Sequence, residues 1–476
     1  MLAPGNGWKG LKRMGRMAVQ TSIPVLAEDR PEYAAKREEL RKQGIRYCLA
    51  AYTDVYGIGK AKCVPIDHFD SMMRGSELFT GAALDGLGQE PSDDELSVRP
   101  DLDRVVELPH RKGVAWCPGG LYYHGEPWPM DSRNVLQRAV DRATGLGFTF
   151  NLGIETEYYL VRREDGAVVP ANPRDLLEKA AYDIVDLLAN LPFLDEMIGY
   201  MNTLGWDVHS FDHEDSNSQF EFDFSYTDVM SMADRQTLWR MLMKEVAREH
   251  GFDVTFMPKP YSNRTGTGAH FNMSLADVNS GENVFANASD PRGNGVSQLA
   301  YHFIGGLLAH APAITAVACP TVNSYKRLVK TGSMTGFTWA PIFRSYGGNN
   351  RTHMLRIPLT SPRVESRAVD ATCNAYLAAA AYLHAGLDGV ENEIDPGDPI
   401  RLNMYLQDDE QLRQLGVDTL PRTLLEAIEA FDADPTMETT FGPELKRAYV
   451  ELKSSEWWDY HNEVSPWEID RYLTFF

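Results

Sequence analysis

The sequence predicts an α+β protein with a small, mostly β N-terminal domain and a large catalytic domain. The chain has 476 residues, which is enough for two or three domains with a large buried core. Short alternating segments separated by turn residues fill residues 41–129, whereas longer strand and helix patterns alternate from residue 130 onward. We therefore expect a flexible leader and a short helix over 1–40, a β domain over 41–129 and a catalytic domain over 130–476.

The composition is typical of a soluble cytoplasmic enzyme. A formal net charge of −21 argues against a general binder of nucleic acid or of anionic membranes. No apolar run approaches the roughly 18 residues that a transmembrane helix needs. Five cysteines without a CxxC pair indicate free thiols in a reducing compartment.

The N-terminal segments predict a leader, a helix and several short strands. Residues 1–30 carry a few basic residues but no apolar signal core, which argues against a secretory signal and favours a flexible leader, with an organellar presequence as the alternative. A charged helix over Glu32–Gln43 precedes a hairpin of Ile45–Thr53 and Gly59–Val64. Gly75–Gln89 is rich in small residues and is interpreted as a functional loop. Further short strands are expected at Arg104–Leu108, Gly113–Trp116 and Gly120–His124.

The larger domain opens with a helix that Asp131 or Ser132 can cap. Strand and helix patterns then alternate to about residue 391, as expected for a large α/β or α+β domain. The predicted strands are 148–163, about 206–212, 218–224, 253–257, 266–276, 352–357 and 363–367. The predicted helices are about 176–204, 230–250, 294–311 and 372–391.

The strand Asn151–Leu160 carries two carboxylates in an otherwise apolar and aromatic segment. Glu155 and Glu157 are two residues apart, so both side chains project from one face of the strand. Two like charges on a buried face are costly unless a cation neutralises them. The alternative is a solvent-facing edge strand with two exposed glutamates.

Other segments repeat this alternation of charged and apolar residues. Glu214 precedes a strand whose Glu221 and Asp223 share one face, and a Gly-rich loop leads into a strand that carries His270. Arg363, Glu365 and Arg367 alternate in the same way on a further strand. Oxygen ligands with a single imidazole suit Mg²⁺ or Mn²⁺ better than structural zinc.

Arginines occur in segments that otherwise look buried. Arg327, Arg351 and Arg356 are examples, and guanidinium groups beside divalent metals hold phosphates and carboxylates during phosphoryl transfer. Each arginine could instead belong to a structural salt bridge. Neither a Walker A motif nor a GxGxxG motif occurs, so nucleotide binding requires a different fold.

Several segments occur in a specific order along the chain. They are GIETEYYL (153–160), HED with SQFEF (213–222), FMPKP (256–260), GTGAHFNMS (266–274), PTVNSYKRL (320–328), NNRTHMLRIP (349–358), RVESR (363–367) and AGLDG (385–389). Together they resemble the glutamine synthetase family, from about Tyr47 to the end of the barrel-like domain.

The resemblance implies an N-terminal β-grasp domain and a catalytic α/β domain built on a curved antiparallel sheet. It also implies stacked-ring homo-oligomers, usually dodecamers, with active sites between subunits. The expected substrates are L-glutamate, ATP and a small amine, with two or three Mg²⁺ or Mn²⁺ ions per active site. Neither nucleic acid nor a membrane is an expected partner.

The resemblance also assigns residues by their place in the motifs. One metal would be held by Glu157, Glu214 and Glu221, and the other by Glu155, His270 and Glu365. Glutamate would be bound by Gly266, Arg327, Arg351 and Arg367, of which Arg351 and Arg367 would also act on the transferring phosphate. ATP would lie along Asn272, Ser274, Arg356 and Arg363. The implied chemistry is phosphorylation of the glutamate γ-carboxylate, followed by attack of an amine on the acyl phosphate.

The chain departs from the family pattern near the expected amine site. Thr80 stands where ammonia-using members carry an aspartate that binds ammonium. The flap, Lys330–Gly336, lacks the usual glutamate. In addition, Asn272 replaces the second histidine of an HxH motif, and Arg367 is followed by Ala368-Val369-Asp370 instead of the usual continuation.

Losing two acidic groups should make the amine site less polar and roomier. This favours a glutamate–amine ligase that uses methylamine or a larger alkyl or aryl amine, resembling relatives that make γ-glutamylmethylamide, over an ammonia-using glutamine synthetase. A non-catalytic ring scaffold and a two-metal hydrolase are the alternatives from other classes. Tyr405 falls near the adenylylation position of some bacterial relatives, but it is interpreted as an exposed, unmodified tyrosine.

Overall fold

The computed structural model describes residues 25–86, 88–330, 335–336 and 338–476, and it contains two mixed sheets. Most of the predicted leader and residues 331–334 of the predicted flap lie outside the described residues. The first sheet is built from strands between residues 47 and 127, and the second from strands between residues 148 and 366. The division into domains at residues 129 and 130 remains a prediction.

The first sheet has seven strands and two associated helices. The strands are β1 Tyr47–Thr53, β2 Gly59–Pro65, β3 Leu78–Phe79, β4 Leu96–Pro100, β5 Val106–Glu107, β6 Val114–Tyr123 and β7 Glu126–Pro127. The helices are α1 Pro31–Lys42 and α2 Phe69–Met73. The strand order is β2-β1-β6-β4-β3, and every pair is antiparallel except β1 with β6. A hairpin followed by a parallel return strand is the arrangement expected of a β-grasp domain.

The predicted hairpin of this sheet is confirmed, but two predicted strands merge into one. The segments expected at 113–116 and 120–124 form the single strand β6. Gly119 lies between the two predicted segments, and a Cβ atom at this position would lie 2.2 Å from the carbonyl oxygen of Arg99 on β4. The glycine therefore permits close strand pairing instead of ending the strand.

The second sheet has ten strands arranged around one long strand. They are β8 Phe148–Glu164, β9 Ala167–Pro170, β10 Val208–His213, β11 Gln219–Phe224, β12 Thr227–Asp228, β13 Asp253–Thr255, β14 Ala269–Asp277, β15 Tyr346–Gly347, β16 Leu355–Arg356 and β17 Val364–Ser366. The main order is β10-β11-β8-β14-β17-β16-β15, and β9, β12 and β13 also pair with β8. Because β8 spans 17 residues, its register fixes the relative positions of its neighbours.

Helices pack around this sheet. They are α3 Ser132–Gly145, α4 Ile184–Ala189, α5 Leu191–Thr203, α6 Val229–Glu249, α7 Gln298–Ala309, α8 Ala311–Ala318, α9 Ser324–Arg327, α10 Ala375–Glu391, α11 Asp409–Gln414, α12 Leu424–Ala433, α13 Pro435–His461 and α14 Pro466–Tyr472. As predicted, Asp131 caps α3, and its side chain accepts a hydrogen bond from the backbone N–H of Asn134. The α7–α10 contact requires glycine, because a Cβ atom at Gly306 would lie 2.0 Å from the carbonyl oxygen of Ala385.

The predicted helix over 176–204 is wrong in its first part. The structure has only the short α4 and then α5, which begins just before Pro192. Proline cannot continue a helix interior, because it lacks an N–H and clashes with the preceding turn. Upstream, Tyr182 has a φ of 65°, and its backbone N–H donates to the carbonyl oxygen of His213 instead of to a helical partner.

In the described part of the chain, no single helix is both long and apolar enough to span a bilayer. Helices α7 and α8 reach the necessary length and hydropathy only as a pair that is bent by 75°.

A buried ion-pair network fixes the segment around α4 to β10. The Nε2 atom of His213 lies 2.9 Å from Asp175 Oδ2 and 3.0 Å from Asp186 Oδ2, and its Nδ1 atom lies 2.8 Å from the carbonyl oxygen of Glu214. Burial lowers the pKa of His213, but the two aspartates outweigh this effect and raise the pKa to about 10. The imidazolium therefore holds two otherwise separate segments together.

This network predicts a pH-dependent stability. The folded pKa of His213 is raised above the ordinary value of 6.5, so its contribution is complete below pH 6.5 and is lost as the pH rises toward 10. We expect D186N to lower the free energy of unfolding by about 3 kcal/mol at pH 6.5, and by much less at pH 10. Urea denaturation at both pH values measures this difference. The exposed Asp195 on α5 supplies the control D195N, and equal losses for the two variants would contradict the network.

Candidate active site

The register of the second sheet brings the charged residues of four strands to one face. Glu157 on β8 lies directly opposite Glu221 on β11, and Glu155 lies directly opposite His270 on β14. Glu365 on β17 pairs with Asn272, the residue two positions after His270. Directly opposite residues of antiparallel strands point to the same face, so the predicted ligands form one cluster.

The opposite face of these strands packs into the core. Tyr158 and Phe222 are fully buried and stack with ring centroids 5.9 Å apart. Trp239 of α6 meets Tyr158 edge-on at 5.9 Å. This aromatic layer explains why an alternating sequence places its carboxylates toward the site and its rings toward the helices.

Within the cluster, the ligand atoms form two groups around Glu221. Glu157, Glu214 and Glu221 place one carboxylate oxygen each within 4.8 Å of one another, and a carboxylate oxygen each of Glu155 and Glu221 and an imidazole nitrogen of His270 do the same. Glu365 lies at the edge of the second group, with its Oε1 atom 4.0 Å from His270 Nδ1. All of the predicted metal ligands are therefore close together, and Glu221 is common to both groups.

Burial and mutual repulsion shift the pKa values of this cluster. Burial, followed by the charge of Glu214, raises the pKa of Glu221 well above its ordinary value. Burial, followed by the charge of Glu157, does the same to the pKa of Glu214. Burial and the nearby Arg367 lower the pKa of His270 to about 3, so its imidazole is neutral. A neutral imidazole among crowded carboxylates is the donor set of a cation site.

Two buried atoms give an independent test of this interpretation. Among the described residues, neither Glu221 Oε2 nor His270 Nε2 has a hydrogen-bond partner. These residues are only 9% and 5% exposed, respectively. Buried polar atoms are almost always satisfied, so these two fit ligation of a cation. Carboxylate oxygens and one imidazole suit a divalent ion such as Mg²⁺ or Mn²⁺.

The Gly-rich loop before β14 donates a hydrogen bond to the cluster. Glu157 Oε2 accepts hydrogen bonds from Gln219 Nε2 and from the backbone N–H of Gly268, both at 2.9 Å. A Cβ atom at Gly268 would lie 2.8 Å from Arg327 Nη2 and 2.9 Å from His270 Nε2. The loop therefore requires glycine because backbone and side chains approach each other closely here.

Two arginines bind Glu365. Arg367 Nη1 donates to Glu365 Oε1 at 2.6 Å, and Arg356 Nη1 donates to Glu365 Oε2 at 2.5 Å. Burial raises the pKa of Glu365, but the positive charges beside it, that of Arg367 first, outweigh this effect, and the net shift is downward. The Nε atom of Arg367 is buried without a hydrogen-bond partner among the described residues, so it is available to a ligand.

The other predicted arginines differ in their surroundings. Arg327 is buried, and its guanidinium donates to the carbonyl oxygens of Ala368 and Arg367 at 2.8 and 3.1 Å. Arg351 is exposed in the loop between β15 and β16. Its positive charge lowers the pKa of Tyr182, whereas burial and the negative charge of Glu214 raise that pKa, and the net shift is upward.

The residues predicted to lie along ATP continue from the cluster along β14, β16 and β17. Asn272 connects two charges, because its Nδ2 atom donates to Glu155 Oε1 at 2.8 Å and its Oδ1 atom accepts from Arg363 Nε at 2.7 Å. Arg356 donates to Asn349 in addition to Glu365. Ser274 is half-buried two residues beyond Asn272 on the same strand.

Thr80 is the predicted site residue that the chain does not bring to the cluster. It precedes a short 3₁₀ helix beside β3, and its hydroxyl donates to Glu95 Oε1 at 3.4 Å. None of its hydrogen bonds within the described residues reaches a residue of the second sheet.

Sequence reasoning missed several residues beside the cluster. Asp212 lies opposite Glu221 and groups with Asp223, and burial and Asp223 raise its pKa to about 6. Asp212 lies two residues before Glu214, and this spacing could have identified it as a residue beside the site. Asp215 accepts a hydrogen bond from Trp339 Nε1 at 3.0 Å, a contact between distant segments that no local pattern indicates.

The expectation that Tyr405 is exposed is wrong. Its hydroxyl oxygen is buried, and its ring packs edge-on against Phe343 with centroids 6.0 Å apart. Met404, Leu412 and Val417 belong to the same small apolar cluster. Packing against these apolar residues partly buries the Tyr405 side chain.

The comparisons with known proteins agree with the predicted fold. The model of the glutamine synthetase catalytic domain matches residues 129–472. The glutamate–methylamine ligase of Methyloversatilis universalis is 41% identical over 92% of this chain and 98% of its own length. A glutamine synthetase of Rhizobium leguminosarum bv. phaseoli is 37% identical over 91% of this chain and 98% of its own length.

Solved structures give the same result. A structure described as a GmaS/ADP complex superposes with a TM-score of 0.86 at 37% identity, covering 92% of this chain and 99% of that one. A structure of apo GmaS without ligand gives a TM-score of 0.84 at 36% identity, again covering 92% and 99%. These likenesses confirm the predicted fold class, and they extend through the strands that carry the cluster. The chain belongs to the glutamine synthetase family.

Proposed function

We propose that this protein is an ATP-dependent, divalent-metal-dependent ligase that joins the γ-carboxylate of L-glutamate to an amine. The carboxylate and histidine cluster with its adjoining arginines is the observation that carries this proposal. The 41% identity to a glutamate–methylamine ligase favours methylamine or a larger alkyl or aryl amine as the acceptor.

The residues of the cluster would hold two divalent cations. Glu157, Glu214 and Glu221 would hold one, and Glu155, His270 and Glu365 would hold the other, with Glu221 close enough to Glu155 and His270 to contact the second cation as well. When bound, the cations supply positive charge to the phosphoryl oxygens of ATP and to the reacting carboxylate. The unpartnered atoms of Glu221 and His270 support this assignment.

The arginines would position the substrates for two successive steps. First, a γ-carboxylate oxygen of glutamate bonds to the γ-phosphorus of ATP, the bond to the β–γ bridging oxygen breaks, and ADP leaves. Next, the amine nitrogen bonds to the acyl carbon, the carbon–oxygen bond to phosphate breaks, and the nitrogen loses a proton to water. Arg327, Arg351 and Arg367, with the Gly266 loop, would hold glutamate and the transferring group. Asn272, Ser274, Arg356 and Arg363 would lie along ATP.

Thr80 would act at the active site of a neighbouring subunit. The fold places it apart from its own cluster, and stacked rings, with a dodecamer as the proposed assembly, would bring it to the next one. A hydroxyl at this position attracts ammonium less than a carboxylate does. Replacing the carboxylate by a hydroxyl would therefore weaken the binding of an alkylamine less than it weakens the binding of ammonia.

A substrate panel tests the proposed reaction. We expect phosphate release that requires ATP, glutamate, Mg²⁺ or Mn²⁺ and an amine, with a higher kcat/KM for methylamine or a larger amine than for ammonia. Preference for ammonia would identify an ammonia-using synthetase instead. Absence of turnover with every amine would support a non-catalytic scaffold, and hydrolysis without ATP would support a two-metal hydrolase.

Substitution of a metal ligand tests the cluster. We expect E157Q to lower kcat by about a hundredfold or more, because the charge opposite Glu221 is lost, while the circular dichroism spectrum is retained. Glu164 lies on the same strand but is exposed, so E164Q is the matched control with near-normal turnover. Normal turnover of E157Q would refute the assignment.

The acceptor preference predicts the effect of restoring an acidic group at position 80. We expect T80D to raise the ratio of kcat/KM for ammonia to that for methylamine about tenfold, the scale at which a pocket distinguishes one carbon. The conservative T80S keeps the hydroxyl and should keep the wild-type ratio. Steady-state kinetics with both amines would contradict this explanation if T80D and T80S gave the same ratio.

A further inference from the structure

Trp339 has a backbone conformation that a large side chain seldom adopts. Its φ is 55°, in the left-handed region where a Cβ atom crowds the backbone. Such strain persists only when surrounding contacts enforce it, and it concentrates at ligand-binding positions. The contacts of Trp339 therefore indicate the function of this strained conformation.

Within the described residues, two hydrogen bonds connect Trp339 to segments on either side of the carboxylate cluster. Its carbonyl oxygen accepts from Arg367 Nη2 at 3.4 Å, and its indole Nε1 donates to Asp215 Oδ2 at 3.0 Å. Arg367 follows β17, and Asp215 follows β10 and adjoins Glu214. In the sheet, β11, β8 and β14 lie between these two strands, and they carry Glu221, the Glu155–Glu157 pair and His270. Trp339 thus connects segments on either side of the strands that carry the cluster.

Asp215 sets the orientation of the indole. The same oxygen that accepts from the indole also accepts from Thr335 Oγ1 at 2.6 Å. With its N–H edge fixed at Asp215, Trp339 still has 38% of its surface exposed. A tryptophan fixed at the edge of a charged site but not buried in the core offers an apolar ring surface to a ligand.

We propose that Trp339 determines the acceptor specificity of this site and that Asp215 positions it. This inference rests on the ligase function proposed above. The carbon substituent of a short primary alkylamine would lie against the indole, where it gains apolar contact that ammonia cannot make. The protonated amine, before it enters the reaction, would also be attracted by the ring face and by the Asp215 carboxylate. The acceptor class is therefore a primary alkylamine.

The test compares acceptor selectivity in four variants of the full chain. For W339A we expect the ratio of kcat/KM for methylamine to that for ammonia to fall about tenfold, mainly through the KM for methylamine, with the KM for glutamate little changed. W339F retains a ring and should keep most of the ratio. D215N should lower the ratio by a smaller factor, because the indole loses its charged partner. L146A is the control, because Leu146 at the end of α3 is 39% exposed and should leave the ratio unchanged.

The outcomes separate this inference from the proposed function. If wild-type protein makes no ATP-dependent product with any amine, the proposed function fails. If wild-type protein is active but W339A keeps the wild-type ratio, Trp339 does not determine specificity and the inference is overturned. Should W339A fail to fold, W339Q keeps a side chain of intermediate length but removes the apolar ring face, and an unchanged ratio in folded W339Q overturns the inference equally.

Discussion

The structure depends on keeping several carboxylates close together on a buried sheet face. Glu157, Glu214 and Glu221 cannot all be ionised at these separations without a compensating positive charge. The protein itself contributes Arg356 and Arg367, but both bind Glu365 at one edge of the cluster. In the proposed ligase, divalent cations would supply the remaining positive charge, and metal binding would then be coupled to the fold of the second sheet.

Contacts in the surrounding structure hold these carboxylates in fixed positions. Strand β8 spans the sheet and fixes Glu155 and Glu157 by its register, while the aromatic layer behind it prevents those side chains from turning inward. Gly268 lets the loop before β14 approach closely enough to donate to Glu157. The buried His213 network holds the backbone at Glu214. Each support fixes the direction of a ligand as well as the fold, as metal sites require.

Much of this arrangement follows from local sequence patterns. Two-residue spacing places Glu155 and Glu157 on one face, and the order of motifs identifies the family. Contacts between distant segments are not encoded locally. The Asp215–Trp339 hydrogen bond joins residues 124 positions apart, and the burial of Tyr405 depends on Phe343. The failed helix prediction has a local cause, since Pro192 and the left-handed Tyr182 interrupt an otherwise helical pattern.

Direct measurement of metal binding to variants at position 221 tests the central claim, because Glu221 belongs to both ligand groups. Isothermal titration of Mn²⁺ should show at least two ions per wild-type chain. Under the conditions that saturate wild type, E221Q should bind neither ion tightly, while its far-ultraviolet circular dichroism spectrum is unchanged. Wild-type stoichiometry and affinity in folded E221Q would contradict the claim that the two cation sites share this carboxylate.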